Sequence, residues 1–136
     1  MRKTEVIVWQ NFTLGGLTVP YTLCLNTEEF GVVMDYLGVP KNDHPRHINY
    51  GANATAHFCD HKGGDKCVVV CMAIPESVSN IQIAGLLVHE ATHIWQDACE
   101  RMNEQNPGDE IEAYSIQTIW QGLADLYTQK LVTGSS

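Results

Sequence analysis

Two histidines, His89 and His93, stand four residues apart in the stretch LLVHEATHIWQ (86–96), and Glu90 directly follows the first. On an α-helix, residues i and i+4 share a face with Cβ atoms ~5–6 Å apart, so two imidazole nitrogens reach one tetrahedral ion. Glu90 is set about 100° round the helix from His89. It reaches the open coordination position without being a ligand, where a base must stand to take a proton from metal-bound water. The chemistry that this H-E-x-x-H spacing offers is zinc-assisted hydrolysis, provided that the stretch is helical and a third ligand is near. The competing reading is an ordinary amphipathic helix, but no capping role accounts for three polar residues in mid-helix.

The elements that must position these residues are legible. Ser77 or Ser79 caps a helix over 77–102, whose apolar residues recur at Ile83, Leu86, Leu87, Ile94 and Trp95. Small residues flank the motif (Ala84, Gly85, Ala91) and leave room for backbone or substrate. The segment NEQNPG breaks this helix, and a final one follows over 109–132, with Ile111, Ile116, Ile119, Leu123, Leu126 and Tyr127 facing inward. The first quarter reads as β. TEVIVWQNFTL and LTVPYTLCLN flank Gly15-Gly16, a hairpin signal, and ATAHFCD and KCVVVCMAI flank a second one at Gly63-Gly64. Between the hairpins, Asn26 or Thr27 caps a short helix with Phe30, Val33, Met34 and Leu37 as its apolar stripe. The expectation is one α+β domain over 1–136, with N-terminal hairpins and a short helix followed by two long antiparallel helices carrying the metal site.

A catalytic zinc usually has three protein ligands and a water. Glu112, in DEIEAYSIQ, lies nineteen residues beyond His93, and a short turn between antiparallel helices brings its first turn back beside the motif helix. Glu110 is its main competitor. Asp109 and Glu112 also have capping-box spacing, which would occupy that carboxylate with backbone amides. Both readings stand at this point.

HEATHIWQ followed by EIEAYSIQ resembles the zincin metallopeptidases of the glutamate-ligand, gluzincin-like type. Glu112-Ala113 is similar to the third-ligand segment of small intracellular peptidases such as the ImmA/IrrE family, and the two motifs together look like small metallopeptidase-like proteins of phage. The resemblance covers residues 79 to about 127. It implies a minimal zincin-like fold in which His89, His93 and Glu112 bind zinc and Glu90 is the catalytic base of peptide-bond hydrolysis. Gln96 and Cys99 stand where the metzincin continuation needs a glycine and a third histidine, and the thermolysin-type N-E-x-x-S-D segment is absent.

The rest of the chain narrows the partners. A formal charge of −8 argues against nucleic acid, which asks for a basic face. The longest apolar runs are too short to span a bilayer, and the start MRKTEVIVWQN lacks the h-region of a signal peptide, so a cytoplasmic protein is expected. Five cysteines without an export signal read as free thiols. A second zinc on Cys59, His61, Cys67 and Cys71 is unfavourable, because Cys67 and Cys71 on one strand are about 13 Å apart. Tyr50, His57 and Tyr114 are candidates to stabilise an oxyanion, and Asp97 to orient a histidine. The expected partner is a polypeptide substrate, bound along the outer strand of the second hairpin. The alternative from another class is a metal-binding assembly or regulatory module of the same fold without catalysis.

Overall fold

The computed structural model describes residues 6–49, 53–60, 66–73 and 77–133. Gly15, with a left-handed φ of 60°, turns the chain between β1 (Gln10–Leu14) and β2 (Leu17–Cys24), which pair antiparallel from Leu14↔Leu17 to Gln10↔Tyr21. β1 starts later than the alternation suggests. Residues 6–9 lie outside the ladder, and there the Thr22 hydroxyl donates to the Val8 carbonyl at 2.8 Å.

Asn26 caps α1 (Thr27–Tyr36), its side-chain oxygen accepting from the Glu29 amide at 2.8 Å, and Gly38 follows the helix end with φ 82°. A short 3-10 helix, Lys41–Asp43, leads into the polar loop before β3 (Ala54–Asp60). β3 pairs antiparallel with β4 (Lys66–Met72), and their turn at Gly63-Gly64 lies outside the described residues. Ser79 caps α2 (Asn80–Met102) in a full capping box with Gln82, and left-handed Asn103 ends it. The last helix is α3 (Asp109–Thr133).

The strand order β1-β2-β4-β3 joins the two hairpins through a parallel β2–β4 pairing, Tyr21↔Val68 to Cys24↔Cys71. This sheet of four strands with helices on both faces makes the protein α+β. Alternation in β4 serves both faces. Val68, Val70 and Met72 join the core formed with α2 and α3, while Val69 and Cys71 pack with Phe30, Val33 and Met34 of α1. Contacts of Trp95 with Glu112 and of Trp120 with Ala84 show that α2 and α3 run antiparallel. β3 is an edge strand. Its Ala54, Ala56 and Phe58, opposite Met72, Val70 and Val68, face the α2 side. No described helix is long and apolar enough to cross a membrane.

Candidate functional site

The histidine pair sits mid-way along α2, on its exposed side. His89 Nε2 and His93 Nε2 are 3.1 Å apart, with ring centroids at 4.7 Å. Two nitrogens on one tetrahedral zinc, each at ~2.0–2.1 Å, stand about 3.3 Å apart, so the pair already has the spacing of two ligands. Gln96, one turn on, supplies what the spacing alone does not. Its Oε1 lies 3.1 Å from His93 Nδ1, so the neutral ring donates Nδ1–H to the amide oxygen and keeps its lone pair on Nε2. Sequence reasoning had passed over Gln96. The available signal was an amide three residues after a histidine on a helix.

Glu90 turns the other way, into the sheet. It is only 3% exposed, and its Oε1 has no hydrogen-bond partner. Burial pushes its carboxyl above the usual range, while the neighbouring imidazoles of His89 and then His93 pull it back down. An unpaired buried carboxylate is costly, and it is most readily relieved by a cation or a transferable proton beside it.

These three side chains share a cleft of about 280 Å³ with Asn49, Thr55 and the α2-facing residues of β3. The Thr55 hydroxyl accepts the Asn49 amide at 2.9 Å, tying the loop before β3 to the edge strand. A second cavity, of about 510 Å³, shares Ala54, His89 and Glu90 with the first and extends toward the start of α2. The histidine pair and Glu90 therefore stand between two hollows that follow one sheet edge.

The structure does not bring Glu112 to this place. The short turn does return α3 to α2, but Glu112 meets the opposite side of that helix. Its Oε2 accepts the indole N–H of buried Trp95 at 2.9 Å. Trp95 lies about 200° round the helix from His93, and among the described residues Glu112 does not converge with the histidines as one metal-holding group. The capping box with Asp109 is not formed by this carboxylate either, and the Glu112 amide bonds the Gly108 carbonyl at 3.0 Å. Glu110 is exposed and does not line the cleft. Among the described residues, no three His, Cys, Asp or Glu side chains converge as a metal-holding group. The pair fits two positions of a zinc site, and the third donor is not Glu112 in this conformation.

Other expected residues are elsewhere. His57 Nε2 lies 2.9 Å from the His47 carbonyl and its ring packs on Phe30, on the α1 side of the sheet. Tyr114 is 65% exposed on α3 and does not line the cleft. Tyr50 and His61 lie outside the described residues. Asp97 pairs with Arg101 at 2.7 Å instead of orienting a histidine. All five cysteines are free, and Cys67 and Cys71 are buried in β4. The chain matches no family model, no curated protein and no solved structure.

Proposed function

We propose that the protein is a zinc-dependent endopeptidase of minimal zincin type, with His89 and His93 as metal ligands and Glu90 as general base. The observation that carries this reading is one conjunction. Two Nε2 atoms 3.1 Å apart lie beside a buried carboxylate with an unpaired oxygen, in a cleft along an edge strand. When bound, zinc supplies the Lewis acidity that makes water nucleophilic near neutral pH.

The chain's own residues do the rest. Gln96 holds the His93 ring with its lone pair on Nε2. Glu90 takes the proton of the attacking water and returns it to the leaving amine, and its burial keeps the carboxyl basic enough for that exchange. Among the described residues β3 is an edge strand of the sheet, and its outer side is where an extended polypeptide adds as a further strand and passes the histidines with its backbone held. Cavities that share His89 and Glu90, as lined by the described residues, give room on more than one side of the centre and suit an internal bond.

Purified protein should carry zinc that His89→Ala/His93→Ala loses. Glu90→Gln should keep the zinc and lose cleavage by ~10²–10⁴-fold, the range of general acid–base catalysis. The readout is new N-termini in a proteome digest, wild type against Glu90→Gln. The engagement of Glu112 by Trp95 favours a second reading, a metal-binding regulatory module without turnover. Zinc retained with no new N-termini decides for the module.

A further inference from the structure

One pair of thiols stands outside the chemistry of the histidines. The stretch CDHKGGDKC (59–67) puts Cys59 on β3 and Cys67 on β4, and the antiparallel ladder sets the two directly opposite one another. The rung beside them, Asp60↔Lys66, keeps the same register and carries an ion pair of 3.3 Å. Side chains of an opposed pair leave the sheet on one face. Their Cα atoms lie ~4.5–5.5 Å apart, within the ~4.4–6.8 Å that a disulfide spans.

Adjacency alone does not decide, since the sheet holds a second opposed pair. Cys24 and Cys71 face each other across the parallel β2–β4 pairing, where strands lie ~4.8 Å apart, and their thiols share a hydrogen bond. Both are shut in the core under α1, at 1% and 0% exposure. Cys59 differs. It is half-buried at the margin of that core, on a strand that is an edge among the described residues, and fully buried Cys67 stands beside it. This pair combines a thiol open to solvent with a second thiol behind it, the arrangement of a cysteine that is oxidised and one that resolves it. Burial holds both thiols above their usual range, and for Cys59 the Asp60 carboxylate adds to it. They rest protonated near neutral pH, so the resting state is the dithiol.

We infer that Cys59 and Cys67 are a dithiol that a peroxide closes to a disulfide, a bond that staples the edge strand β3 to β4. The Cys59 thiolate attacks a peroxide oxygen, the O–O bond breaks, and the departing hydroxide takes up the thiol proton and leaves as water. Cys59 is then a sulfenic acid. The Cys67 sulfur attacks that of Cys59, the S–O bond breaks, and the hydroxyl leaves with the Cys67 proton as a second water. Two thiols are oxidised by two electrons, and one hydrogen peroxide is reduced to two waters. The inference stands without the peptidase reading.

The whole chain is treated with hydrogen peroxide, its remaining thiols are alkylated after unfolding, and the digest is mapped with and without reductant. The expected product is an intramolecular Cys59–Cys67 link, with the other three cysteines alkylated. Its urea midpoint should exceed that of the reduced chain and fall back with dithiothreitol, because the bond constrains the unfolded ensemble. Cys59→Ser should leave Cys67 reduced after the same treatment. Cys67→Ser should strand Cys59 as sulfenic and then sulfinic acid, and the mapping of wild type decides by itself if that buried substitution does not fold. Wild type in which Cys59 runs to sulfinic acid beside a free Cys67, links Cys24 to Cys71 instead, or forms only links between chains overturns the inference. So does a wild type whose five thiols all survive the peroxide.

Discussion

At the residue scale, the site depends on side chains held by a neighbour more than on the motif letters. Gln96 is one such holder. Gln96→Leu removes the acceptor at His93 Nδ1 and should lower zinc affinity by ~10–100-fold, the usual effect of losing a group that orients a ligand. Gln96→Glu keeps an oxygen there and should restore the affinity, both read by competitive zinc titration. Glu112 gives the opposite expectation. Because its carboxylate is spent on the Trp95 indole, Glu112→Ala should leave zinc affinity unchanged. It should cost roughly 1–3 kcal/mol of stability, since a buried N–H loses its acceptor. Urea unfolding beside the zinc titration checks both halves. A large fall in affinity would mean that Glu112 leaves Trp95 to reach the metal.

At the element scale, α3 is fitted to the sheet through one close approach. Gly122 faces the Tyr21 hydroxyl of β2 so closely that an added Cβ would collide with it, and Tyr21 in turn reaches the Ile119 carbonyl at 3.4 Å. Gly122→Ala must push α3 from the sheet or turn Tyr21 aside, at an expected ~1–3 kcal/mol for overpacking. Tyr21→Phe removes the colliding oxygen, so the double variant should recover part of that loss, a non-additivity that a double-mutant cycle in urea reads directly. Gly85 in α2 is the counter-example. The same Gly→Ala change meets open space there, and should stabilise the helix. Two glycines in long helices thus differ, Gly122 packed against the Tyr21 ring and Gly85 exposed to open space.

At the scale of the whole molecule, a sheet covered on both faces buries groups that titrate late. Burial raises the Tyr21 phenol to about 12 and the Cys67 thiol likewise to about 12. A group whose folded pKa is raised contributes stability that is complete below its unfolded pKa and is lost as pH rises through the folded value. For Tyr21 that window runs from about pH 10, the ordinary phenol value, to about 12. Wild type should therefore lose stability across the window more steeply than Tyr21→Phe, as followed by urea midpoints at stepped pH. The ion pair of Lys130 with Glu29, 3.1 Å long and partly shielded, ties the end of α3 to α1 across the sheet edge. The two helical layers thus meet beyond their separate cores.

What the sequence determined by itself is what neighbours along the chain decide. A serine cap, at Ser77 or Ser79 by sequence and at Ser79 in the structure, and the apolar repeat of α2 placed His89, Glu90 and His93 in mid-helix, and the 3.6-residue period put both imidazoles on one side. Gly15-Gly16 set the first hairpin, and the spacing of Cys67 and Cys71 on a strand ruled out their sharing a metal. Three things belonged to the tertiary structure alone. The parallel pairing of β2 with β4 joins strands more than forty residues apart, so no local pattern records it, and it is this pairing that leaves β3 as the free edge beside the histidines. The cavity of about 510 Å³ beside the histidines is bounded jointly by α2 and by Ala54 and Ala73 of the sheet region. The fate of Glu112 was the third. Its return to α2 followed from the short turn, but the side it would meet depended on how α3 rolls onto the sheet. That roll is set by Ile119, Leu123 and Leu126 sinking into the shared core, which turns Glu112 toward Trp95 and away from the histidines.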